Sequence, residues 1–424
     1  MIATVYPSTI QGAIQVPASK SAMQRALAAA LIRNGKSLLY NPGQAADDLA
    51  ALACIRSLGA QVQVHSDHLE INSRGIRPTG EPLHCGESGL SIRMFTSLAA
   101  TSDQPLRIEG EGSLLSRPMH FFEHVFPQLG VEVKLREGRL PIHLKGPMIP
   151  RSLTVDGSLS SQFLTGLIMA YAAAAAQGVC IDVSDLKSRP YIDLTLDILH
   201  RFGLPVPENE HYQRFRFHQQ DTVKRADEIR YRVEGDWSGA SFWFAAGQEN
   251  GAIELRGLNA LSTQADRAIS GIAPHQSEGS SEAVRYRVSK PRTQPFSFDA
   301  TDCPDLFPPL VAMAAHIKGE SVIQGVDRLR HKESDRALVL QQEFGKLGLK
   351  IKIDGNQMTI VGGTGLQGGV VQARGDHRIA MSLAIAALRA RGPVVIEGAE
   401  SVRKSYPTFW EDLRSVGASL SLSE

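Results

Sequence analysis

One phrase recurs six times along the 424 residues, at a spacing of roughly 70. Self-similarity at that spacing confines the chain to architectures assembled from equivalent supersecondary units. Each copy runs from a small-residue-rich helix through a glycine to a short strand, then a loop, a second helix and further strand. First-helix starts fall near Lys20, Gly89, Ser160, Ser238, Asp305 and Asp376. In five copies the second helix closes on a residue–Gly pair: Leu58-Gly59, Leu129-Gly130, Phe202-Gly203, Leu347-Gly348 and Val416-Gly417. Glycine there supplies the left-handed conformation that ends a helix. The fourth copy lacks such a pair, and residues 260–291 scatter Gly, Ser and Pro irregularly. That stretch reads as a degraded copy with a mobile loop around 275–281.

The periodicities assign each part of the repeat a place. Segments such as 60–64 and 131–133 alternate apolar and polar residues, as strands with one buried face do. Stretches 25–32, 163–176, 310–317 and 379–388 are apolar nearly all round, so the first helices are buried on every side. The second helices, such as 48–57 and 334–346, carry charge on one face and belong outside. A chain this long exceeds one ordinary core, so the six copies divide into two lobes of three. The expected N-terminal lobe is 18–230; residues 1–17 join 231–424 in the C-terminal lobe, with an active-site cleft between. Residues 13–16 form an opening strand without a helix of its own, expected to complete a C-terminal sheet. The fold class is α/β, with buried helices and mixed sheets in two three-repeat domains.

Polar residues gather at two equivalent places in the copies. At the first-helix starts stand Ser19, Lys20 and Ser21 with Arg25; Glu87, Ser88 and Gly89 with Arg93; Ser160, Ser161 and Gln162; Ser238; Asp305; and Asp376, His377 and Arg378. In the later loops stand Arg117-Pro118, Lys187 to Tyr191, His331 to Arg336, and Arg403 to Pro407. Unpaired N–H groups at helix starts favour anions. The formal net charge is only +1, so an anion site must come from local concentration of Lys and Arg, and no global field draws in nucleic acid or membrane. Each residue also has a plainer reading. Ser and Asp at helix starts cap first, Pro118 can simply open a helix, 331–336 can be a solvated charged start, and His377 can be packed. Arg25 and Arg93 sit in apolar helices where a surface ion pair is hard to arrange, which favours ligand contact. The four cysteines, Cys54, Cys85, Cys180 and Cys303, lack metal-ligand spacing and read as free thiols of a reducing compartment. No leader pattern opens the chain, and the longest apolar run, 166–176, is too short to span a bilayer, so a cytoplasmic location is expected.

Taken together these motifs resemble the 5-enolpyruvylshikimate-3-phosphate synthase family. The resemblance rests on residues 17–21 with Arg25, 157–162, 187–193, 332–336, 376–378 and 404–407, covers essentially the whole chain, and implies a two-domain inverted α/β barrel of six repeats, three per domain. It implies transfer of the enolpyruvyl group of phosphoenolpyruvate to the 5-hydroxyl of shikimate 3-phosphate, with no metal or organic cofactor. Shikimate 3-phosphate would meet Lys20, Ser21, Arg25, Ser160, Ser161, Gln162, Ser188, Tyr191, Asp305 and Lys332. Phosphoenolpyruvate would meet Lys20, Gly89, Arg117, Gln162, Arg336, Arg378 and Lys404. Asp305 and Glu333 would move protons, with Lys20 supporting and His377 orienting. The expected partners are these two small molecules, without nucleic acid or membrane, acting on a monomer.

Two departures stand out. The family's usual Gly-Asn-Ala-Gly-Thr-Ala segment reads Gly86-Glu87-Ser88-Gly89-Leu90-Ser91, and Met94 stands where a proline is common. An acidic Glu87 would repel phosphoenolpyruvate unless paired with Arg117 or Lys20. Two rivals share the scaffold: the enolpyruvyl transferase acting on UDP-N-acetylglucosamine, and a catalytically silent anion binder. The first carries Lys-Asn where this chain has Lys20-Ser21, and a loop cysteine that residues 111–116 lack.

Overall fold

The computed structural model describes residues 1–219, 227–281, 284–330 and 332–424. Its strands form six four-stranded sheets on one plan. An edge strand runs parallel to the strand that follows the first helix, and two antiparallel strands complete the sheet. In the third copy Leu153–Asp156 runs parallel to Val179–Ser184, which pairs antiparallel with Arg214–Phe217 and then Glu208–Glu210. A parallel neighbour needs a crossover, and the buried first helix supplies it.

The chain divides into two compact units, Ala18–Glu234 and Met1–Pro17 with Gly235–Glu424. In the first, the helices Lys20–Ile32, Gly89–Ala99 and Ser161–Ala173 pack on one another, with their sheets outside. Every residue from Ala22 to Ile32 is buried. Alanine at 26 and 28–30 leaves room for neighbours to approach closely, which a larger side chain would prevent by overpacking. In the second unit, Trp237–Asn250, Phe307–Ala315 and His377–Ala387 play the same part.

Each unit closes its ring of repeats with strand from a distant part of the chain. Glu228–Arg232 pairs parallel with Gly35–Tyr40 and completes the first sheet of the first unit. A boundary after residue 230 would cut that strand, and the unit runs on to Glu234. The opening strand is Ile10–Gln15, parallel to Gly251–Leu258 in the fourth sheet. Ahead of it, Ile2–Val5 lies between Val394–Glu397 and Leu420–Ser423 in the sixth sheet.

The fourth copy departs from the mobile loop expected of it. Gln276–Glu278 is a strand pairing antiparallel with Val284–Val288, so the copy keeps a full sheet. What it lacks is the second α-helix, replaced by the 3₁₀ segment Ala265–Gly271. The turn residues that suggested disorder end short strands here. Residues 282 and 283 within the stretch, and His331 in the later motif, lie outside the described residues.

Candidate functional site

Five of the six core helices begin with a side-chain cap, Phe307–Ala315 being the exception. Ser19 Oγ accepts from Ala22 N, Ser88 Oγ from Ser91 N, Ser160 Oγ from Gln162 N, and the Asp376 carboxylate from Arg378 N. The capping reading therefore holds for Ser19, Ser88, Ser160 and Asp376 but not for Ser238 or Asp305: Asp236 caps the helix that contains Ser238, and no side chain caps Phe307–Ala315.

In the first unit, polar side chains join the three helix starts into a ring. Gln24 Oε1 accepts from Ser88 Oγ and Ser91 Oγ, both at 3.0 Å. Arg93 Nη1 donates to Gln162 Oε1 at 2.7 Å. Arg25 Nη2 donates to Thr165 Oγ1 at 3.3 Å and Nε to Thr195 Oγ1 at 2.9 Å, while Nη1 takes the Ser21 carbonyl. Arg25 is 1 % exposed, and its guanidinium donates to the Thr165 and Thr195 hydroxyls and the Ser21 and Tyr191 carbonyls. Burial pulls its pKa down to about 10, so the group has charge that a phosphate could satisfy. The Tyr191 ring lies 5.9 Å from the Arg25 Cζ. Ser188, buried and at φ +57°, turns the chain into the helix Pro190–Arg201 that carries Tyr191 and Thr195.

Gly89 is a second focus. A methyl group there would lie 2.5 Å from Arg117 Nη1, 3.0 Å from Arg93 Nη1 and 3.5 Å from Gln162 Oε1. Three expected site residues, Gly89, Arg117 and Gln162, thus meet at one helix start. Ser161, next to Gln162, is buried. Lys20 donates to Asp47 at 2.8 Å, in the first turn of the helix Ala46–Ser57. Glu87 accepts the Ser113 N–H at 3.0 Å, which holds its carboxylate against the loop 110–116.

The second unit gathers the other expected residues around Arg336, which is fully buried. Its guanidinium makes four hydrogen bonds: Nη1 to Asp305 at 2.8 Å, Nη2 to Glu333 at 2.6 Å, and Nε and Nη2 to Asp376 at 2.9 and 3.2 Å. Asp305 also receives Lys332 Nζ and Arg378 Nη2, each at 3.1 Å. Ser334 Oγ donates to Asp376, and Lys404 Nζ to the Gly375 carbonyl next to it. His377, the first residue of its helix, is buried. Burial works to raise the Asp305 carboxyl, but Arg378, Lys332 and Arg336 together outweigh it and hold the group well below the usual carboxylate range. Burial lowers Lys332, with Asp305 pulling the other way. Burial also opposes charge on Arg336, yet Asp376, Glu333 and Asp305 raise it above the ordinary guanidine value. Three carboxylates against Arg336, Lys332 and Arg378 balance, and Lys404 leaves the set one positive charge in excess.

Such sets of fixed cations and carboxylates can hold a phosphorylated or carboxylated ligand and exchange protons with it. Residues 5–413 match the family model for EPSP synthase (3-phosphoshikimate 1-carboxyvinyltransferase). The chain belongs to the EPSP synthase family. It is 34 % identical over 419 residues to the 3-phosphoshikimate 1-carboxyvinyltransferase of Clostridium kluyveri, covering 98 % of this chain and 97 % of that one. With the enzyme of the same name from Aeropyrum pernix it shares 36 % over 419 residues, 98 % and 95 % of the two chains. Among solved structures, EPSP synthase from Acinetobacter baumannii shares the fold with a TM-score of 0.81, at 23 % identity over the full length of both chains. The enolpyruvyl transferase NikO from Streptomyces tendae also shares it, with a TM-score of 0.74 at 17 % identity over 99 % and 98 % of the two chains. The two-domain α/β fold is therefore that of EPSP synthases.

Several residues of this family member were not visible from the sequence. Asp47 lies just ahead of the helix expected over 48–57, and nothing in the sequence marks it as the partner of Lys20. Gln24, Thr165 and Thr195 lie on buried faces with nothing to single them out. Cys54 and Cys85, scattered in sequence, approach to 3.7 Å as buried thiols.

Proposed function

We propose that this protein transfers the carboxyvinyl group of phosphoenolpyruvate to the 5-hydroxyl of shikimate 3-phosphate, releasing phosphate, in the shikimate route to aromatic amino acids. The observation that carries the chemistry is the pair Asp305 and Glu333 on one buried guanidinium, beside Lys332 and Arg378. In the addition step the hydroxyl oxygen bonds to C2 of phosphoenolpyruvate, loses its proton, and the methylene carbon gains one. In the elimination step that carbon gives a proton back and the bond from C2 to the phosphate oxygen breaks.

Asp305 is assigned to the hydroxyl proton and Glu333 to the methylene carbon, with Lys20 supporting and His377 orienting. Three cations hold Asp305 ionised, ready to accept a proton. Ligand anions that engage Lys332 and Arg378 would weaken that hold and raise its proton affinity toward what a base needs. Ser160, Ser161, Gln162, Ser188, Tyr191, Ser21, Arg25, Lys20, Asp305 and Lys332 are assigned to shikimate 3-phosphate. Lys20, Gly89, Arg117, Gln162, Arg336, Arg378 and Lys404 are assigned to phosphoenolpyruvate. With four hydrogen bonds already committed, Arg336 serves mainly by aligning Asp305 and Glu333.

Among the described residues no helix is long and apolar enough to cross a membrane. A cytoplasmic monomer acting without macromolecular partners completes the reading, and sedimentation equilibrium checks the oligomeric part. The decisive assay mixes the two substrates: phosphate is released with both and with neither alone, and UDP-N-acetylglucosamine does not replace shikimate 3-phosphate. In Glu333→Gln, substrate binding persists while turnover falls on the order of 10²–10⁴-fold. Unchanged turnover in that variant removes Glu333 from the chemistry.

A further inference from the structure

Two buried carboxylates flank the start of the helix Trp237–Asn250, and they are satisfied very differently. Asp236 caps the helix, its oxygens accepting the N–H groups of Ser238 and Gly239 at 3.3 and 3.1 Å. Asp266, 1 % exposed on the 3₁₀ segment Ala265–Gly271, accepts the Ser238 hydroxyl at Oδ2. Its Oδ1 is buried and has no hydrogen-bond partner among the described residues. Its position is fixed from behind, because Gln264 accepts the Trp237 N–H at 3.1 Å and donates to the Gly235 carbonyl at 2.8 Å.

A carboxylate taken out of water with one hydroxyl for support is costly as an anion and cheap as a neutral acid. Its charged surroundings make that balance responsive. The segment bearing Asp305 packs against the one bearing Asp266, and the groups acting on Asp266 are Asp305, Arg378 and Asp236, with the Cys303 thiol nearby. Asp305 and Asp236 oppose ionisation, Arg378 favours it, and the Ser238 hydroxyl steadies the charged form. Burial first, and Asp305 next, push the carboxyl up to about 7. Ser238, its hydroxyl donor, is only part-buried.

We infer that Asp266 is a proton-holding partner of the Asp305–Arg378 cluster, taking up a proton when an anionic ligand binds to that cluster and releasing it when the ligand leaves. An anion drawn to Arg378 diverts a cation that favours Asp266 ionised and adds negative charge beside it. Both effects raise its proton affinity. By linkage, ligand affinity then weakens as pH rises through the titration of this group. Asp266 is thus a positioning residue for charge, and it need not touch substrate.

The inference rests on the proposed transfer for its choice of ligands, so the test has two arms. In the ligand-free protein carrying ¹³Cγ-labelled aspartate, the resonance missing from Asp266→Asn is expected to titrate near neutrality, and in Ser238→Ala to titrate higher still. A midpoint in the ordinary carboxyl range near 4 overturns the inference whatever the protein's activity. In the second arm, phosphoenolpyruvate is titrated calorimetrically into protein holding shikimate 3-phosphate, in buffers of differing ionisation heat at pH 7. A fraction of a proton is expected to be taken up per ligand, and the uptake to vanish in Asp266→Asn. Equal uptake in the variant overturns the inference. Absence of any binding heat, with a near-neutral resonance that inorganic phosphate moves upward, supports the proton-holding role while removing the substrate assignment.

Discussion

Gly89 shows how a single missing atom can organise a site. It lies in an ordinary helical start without a positive φ, so its absence of a side chain serves the space above it and not the backbone. In Gly89→Ala the new methyl would sit 2.5 Å from Arg117 Nη1, the far end of a flexible side chain that can swing aside. Stability should therefore hardly change, while KM for phosphoenolpyruvate rises on the order of tenfold, about 1.4 kcal/mol. Steady-state kinetics alongside urea unfolding checks both halves, and an unchanged KM would detach Arg117 from that ligand. Arg336 is the opposite case, a residue the fold cannot lose. Arg336→Met strands Asp376, fully buried, without its main cation, and removing one member of such a set costs about 3–5 kcal/mol. All three tryptophans, at 237, 243 and 410, lie in the unit containing Arg336, so their fluorescence during urea unfolding reads that loss directly. Lys20, Arg25, Asp305 and Arg378 were legible in the sequence because they recur at equivalent places in the repeat. Their partners were not: Arg25 reaches Thr195 across 170 positions, and Lys20 reaches Asp47 in a second helix read only as charged on one face. Contacts between copies leave no period for a sequence to display.

At the scale of the element, the glycine that ends each second helix separates two costs. Gly59 and Gly348 stand at equivalent places with φ of +101° and +87°. A methyl at Gly348 meets nothing nearer than 3.9 Å, so Gly348→Ala carries only left-handed strain, about 1 kcal/mol. At Gly59 the same methyl lies 2.3 Å from the Arg77 carbonyl oxygen, a backbone atom with little freedom, and the loss should be at least twice as large. Far-ultraviolet dichroism during urea unfolding of the two variants gives the comparison; equal losses would mean that the Arg77 loop yields freely. The second helices announced themselves through these glycines, and the core helices through their unbroken apolar stretches. The fourth copy hid its strand because Gln276–Glu278 is only three residues long and exposed, with no buried alternation to reveal it. Ile2–Val5 was hidden otherwise: its neighbours in the sheet come from the far end of the chain, and no helix introduces it.

For the whole molecule, the unit made of Met1–Pro17 and Gly235–Glu424 sets a buried carboxyl, Asp266, against a part-buried imidazole, His316, whose effects on stability oppose each other. Asp266 is raised to about 7 from the usual 3.8, so between those values the folded chain keeps a proton that the unfolded chain has released. Its contribution to stability is complete below pH 4 and is lost as pH rises toward 7, at up to about 1.4 kcal/mol per unit. His316, chiefly through burial, is lowered to about 4 from 6.5, with Nε2 on the Ala386 carbonyl at 3.1 Å. Between those values the unfolded chain holds the extra proton, so stability rises with pH over much the same window. From pH 4.5 to 6.5 the two slopes oppose each other. Each single variant uncovers the other group. In Asp266→Asn the urea midpoint followed by tryptophan fluorescence should climb from pH 4.5 to 6.5, and in His316→Gln it should fall across the same range. Carboxylates common to all three proteins drop out of the comparison, so parallel profiles in the two variants would show that neither group titrates where its burial places it.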